Sequence, residues 1–268
     1  MKWKVEEYAK RLERDIRKDN FRFDFFARFV VIWTLITRIP LPRHWWPDKS
    51  PSGNSALALS PLAGGLLGVL TGLAIAAVRV MGAGQSASVW IGVLFYSLAG
   101  WSLHLDGWGD MWDGLGSGRR GEDLRSVMKD SRLGAYGAIG LILAFGLWTS
   151  LLSSVSPERS AAACAASAAA GRYAMCWSAL FGRYPWEVGM AKGWVDSFEG
   201  YDIFVASICV LLFLPLAPVR WFFSVLLSIV VGYAAALWMN GRLGGVSGDV
   251  LGAVAVAGEL LSLAVFAL

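Results

Sequence analysis

The chain has 268 residues, of which 56% are hydrophobic and 16% charged, with a formal net charge of +4. That balance is too apolar and too charge-poor for an ordinary soluble domain, and it offers no broad basic surface for a nucleic-acid partner. Apolar runs long enough to cross about 30 Å of hydrocarbon recur from Ser55 onward. The expected fold is therefore all-α: a polytopic integral membrane bundle of about seven spanning helices.

Residues 1–54 form the N-terminal part. Residues 1–20 alternate charge signs, which suits an interfacial or solvated helix and is too charged for a signal peptide. In Phe21 to Pro42 the uninterrupted apolar stretch, Phe29 to Thr37, is too short to span, so a half-inserted helix is expected. Arg43 to Gly53, with Trp45 and Trp46, reads as an interfacial loop.

Residues 55–268 form the bundle. The first span, Ser55 to Met81, carries Gly64, Gly68 and Gly72 at four-residue spacing, a stripe that lets another helix approach closely. Further spans are expected over Ala87 to Leu103, Leu133 to Ser153, Ala161 to Phe181, Ile203 to Leu216, Trp221 to Met239 and Val250 to Leu268. Cys164, Cys176 and Cys209 all fall in apolar segments without metal-ligand spacing and read as small buried residues. With seven spans, the loops bearing Arg43, Arg119, Arg120, Arg125, Lys129, Arg132, Arg183, Lys192 and Arg242 share one side. The opposite loops hold little more than Arg159 and Arg220. That asymmetry assigns the motif loops to the cytoplasmic side of the membrane.

The chemistry concentrates in Trp101 to Gly137. Asp106, Asp110 and Asp113 stand at i, i+4 and i+7, one face of a helix, and would repel one another unless a hard cation such as Mg²⁺ is bound. Gly107, Gly109 and Gly114 alternate with them in what reads as a glycine-rich loop after the second span, open to close approach by a ligand. Capping aspartates on a solvated loop would be the bland account. His104 is a candidate metal ligand or proton carrier, or a hydrogen-bonded helix-end residue. Lys129, Asp130, Ser131 and Arg132 form a second group, with Lys129 and Arg132 suited to phosphate oxygens. Arg172, Tyr173, Glu187 and Asp249 fall at the same face. Asp249 begins a span, where capping alone would explain it. Glu259 lies inside the last span and requires an internal partner. Metal-dependent phosphate chemistry at a membrane face is the reading these residues support.

The blocks LITRIPLP (Leu35 to Pro42), LHLDGWGDMWDGL (Leu103 to Leu115), MKDSRLGAYGAIGL (Met128 to Leu141), GRYAM (Gly171 to Met175) and GGVSGDVLGA (Gly244 to Ala253) resemble the cobalamin synthase, or adenosylcobinamide-GDP ribazoletransferase, family. The chain departs from it in bulk at Trp108, Gly109, Met111 and Trp112. The resemblance implies the last step of cobamide assembly, with α-ribazole or α-ribazole 5′-phosphate as acceptor: its 5′-hydroxyl or 5′-phosphate attacks the cobinamide-linked phosphorus of adenosylcobinamide-GDP, and GMP leaves. It implies Mg²⁺ on Asp106, Asp110 and Asp113, with His104, Lys129 and Arg132 in catalysis. Asp130, Ser131, Arg172, Glu187 and Asp249 would bind substrate. Trp45, Trp46, Trp108 and Trp112 would border the approach of an amphiphilic precursor along the lipid bilayer, and a homo-oligomer is compatible with the pattern. The competing readings are an enzyme of the CDP-alcohol phosphotransferase kind and a corrinoid or ion transporter; in a transporter the acids would lie mid-span.

Overall fold

The computed structural model describes residues 21–47 and 56–268. The expected helix over residues 1–20, and Lys49 and Pro51 in the loop that follows Trp46, lie outside the described residues. The described chain is helical: α1 (Phe21–Ile36), α2 (Ser60–Val80), α3 (Gln85–Tyr96), α4 (Ser102–Gly116), α5 (Gly121–Met128), α6 (Ala135–Ser154), α7 (Pro157–Phe181), α8 (Lys192–Asp196), α9 (Gly200–Leu211), α10 (Pro218–Arg242) and α11 (Gly248–Ala267).

Among the described residues, five stretches are long and apolar enough to cross a membrane: Ala56–Val80, Gln85–Gly116, Ala135–Ser154, Pro218–Arg242 and Gly248–Ala267. The expected count of about seven is reached by adding α7 and the shorter α9 with its following 3₁₀ turn, Leu214–Leu216. Helix α7 owes its modest hydropathy to its position. It runs through the middle of the bundle, packed on α2, α10 and α11, and is buried almost continuously from Ala163 to Ala179. Its neighbours are protein rather than lipid, so alanine and serine, which permit close helix approach, replace leucine.

The glycine stripe of α2 does what its spacing predicts. A Cβ on Gly64, Gly68 or Gly72 would collide with the α7 backbone at Ala168, Cys164 and Ala161 respectively. Helix α1 is part of the same core, because Ile32, Trp33 and Ile36 are buried against the bundle.

The expected second span ends too early. Helix continues from α3 through a π-helical turn, Ser97–Trp101, into α4, so the acids stand on a helix and not on a glycine-rich loop. The turn has a local cause. Gly100 lies against the Ile36 carbonyl, where a side chain would not fit, and the freed Ala99 carbonyl accepts a 2.7 Å bond from the Arg38 amide. At about 1.5 Å per residue, Gln85–Gly116 is close to 50 Å long, well beyond the hydrocarbon thickness. Its last turns therefore carry the acids to headgroup level.

At the opposite end, Arg79 donates to Gln85 (3.1 Å) and the Gln85 amide donates to the carbonyls of Ser153 and Val155 at 2.7 and 3.0 Å. This ties the α2–α3 and α6–α7 connections together, and Arg79 joins Arg159 and Arg220 as a cation at that end.

Candidate active site

Two glycines bring the site together. Helices α4 and α11 approach at backbone distance where a Cβ on Gly107 would stand 2.6 Å from the Asp249 carbonyl oxygen, and one on Gly252 3.2 Å from the His104 carbonyl oxygen. The crossing sets Asp106 beside Asp249. Ser247 caps α11 by accepting from the Val250 amide at 3.3 Å, so Asp249 stands in the first turn, at the positive end of the helix dipole. Lys129, just past α5, places its ammonium 3.8 Å from Asp249. Asp110, one turn beyond Asp106, senses Asp249, Asp106, Lys129 and Asp113 as its nearest charges.

Three carboxylates, Asp106, Asp110 and Asp249, thus feel one another's charge, and the Lys129 ammonium is paired with Asp249. At an effective dielectric of 20, each like-charge pair at 4 Å costs about 4 kcal/mol, so the arrangement favours additional positive charge. Among the described residues no group of three or more His, Cys, Asp or Glu side chains is close enough to form a cage for a metal ion. The donors are nevertheless the hard oxygens that Mg²⁺ takes, and that ion commonly completes its shell with water and substrate phosphate.

Asp113 departs from the expected triad. Its two carboxylate oxygens accept from the backbone amides of Gly134 (2.8 Å) and Gly137 (2.7 Å). Gly134 is the N-cap of α6 and has no side chain to offer, so Asp113 supplies the cap from the neighbouring helix.

Others of the expected residues also lie elsewhere. Arg132 is 87% exposed and closes on Asp130 at 2.6 Å, and hydrogen bonds from its side chain and backbone hold Asp130 down to about 2. Ser131 is exposed beside them and Glu187 is exposed on the α7–α8 loop. Arg172, expected to touch substrate, is sealed inside the bundle. It pairs with Glu259 and donates to the Tyr96 hydroxyl at 2.6 Å, while that hydroxyl donates to Glu259 at 2.8 Å. The partner that Glu259 required is thus Arg172. Tyr173 bonds Ser207 at 2.8 Å, within the helix packing. Trp108 donates to the Gly140 carbonyl at 2.8 Å and the Trp112 ring covers Gly140, so these two indoles join α4 to α6 instead of bordering an open approach.

A cavity of about 210 Å³ opens beside the acids. Asp106, Lys129, Ser247 and Asp249 form its polar end; Ile32, Leu35, Ile36, Leu57, Leu103 and Met175 form its apolar wall, with His104 among them. Tyr184, Trp186, Met190 and Trp194 close the remaining side. This aromatic wall is held by the Val246 amide, which donates to the Arg183 carbonyl at 2.8 Å and laces the α7–α8 loop to the start of α11. The Arg125 guanidinium lies 4.5 Å from the Trp186 ring centre. Partial burial and the charge of Asp249 raise the Tyr184 phenol above its usual value. Sequence reasoning does not single these residues out; the density of aromatics between Gly182 and Asp202, in a loop on the same side as the acids, is the signal that could have found them.

Residues 28–267 match the family described as CobS, cobalamin-5-phosphate synthase. The chain belongs to this family. Similar curated proteins are the adenosylcobinamide-GDP ribazoletransferases of Ralstonia pickettii (32% identical, covering 87% of this chain and 93% of that protein), Allorhizobium ampelinum (30%, covering 87% and 93%) and Escherichia coli (29%, covering 88% and 97%). No solved structure matches. The matched span runs from α1 through α11, so the cobalamin-5-phosphate synthase match takes in Lys129, Asp249 and all three acids of α4.

Proposed function

We propose that this membrane protein is an adenosylcobinamide-GDP ribazoletransferase, joining α-ribazole or its 5′-phosphate to adenosylcobinamide-GDP with release of GMP. The observation that carries the reading is the gathering of Asp106, Asp249 and Lys129 at the polar end of a largely apolar cavity, with Asp110 one turn further along α4. A product that keeps the acceptor's 5′-phosphate requires another ribose hydroxyl as nucleophile. Its oxygen forms a bond to the cobinamide-linked phosphorus while the bond from that phosphorus to the GMP oxygen breaks, and GMP leaves with the electron pair.

Each residue's part follows from its place. Lys129 reaches the diphosphate as a point charge, and its pairing with Asp249 keeps it at the mouth when no substrate is bound. Asp249, at the cavity edge, accepts the proton of the attacking hydroxyl. Asp106 and Asp110, one helical turn apart, would hold Mg²⁺, with water and the diphosphate completing its shell. That ion, when bound, supplies the positive charge that lets a diphosphate enter an acidic site and offsets charge on the departing GMP. The apolar wall excludes water, which would otherwise compete with the ribose hydroxyl.

We place the site at the cytoplasmic face of the bacterial inner membrane. In support, Arg43, Arg119, Arg120, Arg125, Lys129, Arg132, Arg183, Lys192 and Arg242 flank the site end of the bundle, against Arg79, Arg159 and Arg220 at the other.

The test is incubation of purified protein with adenosylcobinamide-GDP and α-ribazole, with Mg²⁺ or with EDTA, followed by mass analysis. Joined product and equimolar GMP are expected with Mg²⁺ only. No product in the presence of Mg²⁺ overturns the reading. Undiminished turnover in EDTA overturns the metal assignment alone.

A further inference from the structure

The cavity combines an apolar wall with a buried imidazole that has no hydrogen-bond partner. His104 is 1% exposed and lines this cavity, yet neither ring nitrogen has a hydrogen-bond partner. A neutral imidazole carries one N–H donor and one acceptor, and leaving both unmet inside a protein is unfavourable. The rest of that wall, Ile32, Ile36, Leu57, Leu103 and Met175, is apolar.

Resting on the ribazoletransferase reading, the parts of the two substrates can be compared with this space. A corrinoid with its amide arms is too bulky, and too polar around its rim, for a cavity of about 210 Å³ walled by aliphatic side chains. Guanine is small enough, but its edge of donors and acceptors would lose water against aliphatic side chains that return no hydrogen bonds. A ribosylated benzimidazole fits both in size and in polarity. Its fused rings are apolar, one nitrogen is occupied by the ribose, and the other is a lone acceptor that needs one donor.

We propose that this cavity is the base site for the acceptor, in which the apolar wall takes the fused aromatic rings and His104 donates a hydrogen bond to the unsubstituted ring nitrogen. With the base seated there, the ribose points toward Asp106, Asp249 and Lys129, where the phosphorus is attacked. His104 is then a specificity-determining residue rather than the proton acceptor of the reaction.

The experiment compares two acceptors, α-ribazole and the corresponding α-ribosyl-5,6-dimethylindole, in which that ring nitrogen is replaced by CH. Acceptor KM and kcat are measured for purified full-length protein with adenosylcobinamide-GDP saturating. The wild type should show a KM about ten-fold higher for the indole with similar kcat, the size expected for one lost hydrogen bond that leaves a buried donor unmet. His104→Phe should raise the KM for α-ribazole to that of the indole, and His104→Gln, which keeps a donor, should restore part of the difference. Equal KM for the two acceptors in the wild type overturns the base site, and this comparison needs no variant to fold. A His104→Phe protein in which kcat falls alike for both acceptors while the KM ratio persists also overturns it, because His104 would then act on the reacting oxygen. Turnover of neither acceptor by the wild type removes the transferase reading along with the site.

Discussion

Two of the charge groups in this membrane protein are held in opposite ways. Inside the bundle, Arg172 and Glu259 are both fully buried and matched one to one, with the Tyr96 hydroxyl bridging them. At the mouth, Asp106, Asp110 and Asp249 are only partly covered, and the ammonium beside them, that of Lys129, is paired with Asp249. A buried charge that is balanced by the chain itself serves architecture, since the cost of removing it from water is already offset by its partner. A charge excess left facing a cavity is compensated only by something the chain does not supply. Composition cannot separate the two groups; closure of the charge balance within the fold can.

The largest effect should come from unbalancing the interior. Glu259→Ala leaves the Arg172 guanidinium buried without its anion, and loss of one member of such a pair costs about 3–5 kcal/mol. Thermal unfolding in detergent should show this as a steep fall in melting temperature, whereas Arg172→Met combined with Glu259→Leu should recover most of it. A Glu259→Ala protein that melts normally but has lost turnover would place this pair with the mouth and dissolve the contrast.

Next in size is the converse experiment. Asp110→Asn or Asp249→Asn removes a charge from an overcrowded set, so the folded state should be unharmed or slightly stabilised. Turnover should fall at least 10²- to 10³-fold, the scale seen when one electrostatic contact to a reacting centre is removed. Melting temperature and rate measured on the same preparation separate these outcomes. A melting temperature that drops along with the rate would mean that Asp249 acts as a helix cap only.

How much of this was legible in the sequence depends on the range of the contact involved. The i, i+4, i+7 spacing of the α4 acids and the four-residue spacing of Gly64, Gly68 and Gly72 are helical periods, and local period survives into the fold. The need of Glu259 for a partner followed from its depth. That the partner is Arg172 did not, because the GRYAM block carries no mark of which helix it faces. The meeting of Asp106 with Asp249 depends on Gly107 and Gly252 touching across two distant helices, which spacing within either helix cannot reveal. The misplaced end of the second span has a related cause. Asp and Gly are poor helix formers, but packing of α4 on α6 and α11 overrides that preference.

Asp113 is where the contrast between the two charge groups can be sharpened most finely, because it belongs by spacing to the mouth and by contact to the architecture. Both of its oxygens are taken by the amides that open α6. Asp113→Ala should therefore destabilise by about 1–2 kcal/mol, the usual loss for a helix cap. Asp113→Asn, which keeps one carbonyl oxygen for an amide, should cost less. Turnover should drop only a few-fold in both, through a slightly loosened α4–α6 junction behind Asp110. If Asp113→Asn instead loses 10²-fold or more in rate at an unchanged melting temperature, its carboxylate is serving the diphosphate. The architectural reading of the α6 cap would then give way to the triad that the helical spacing first suggests.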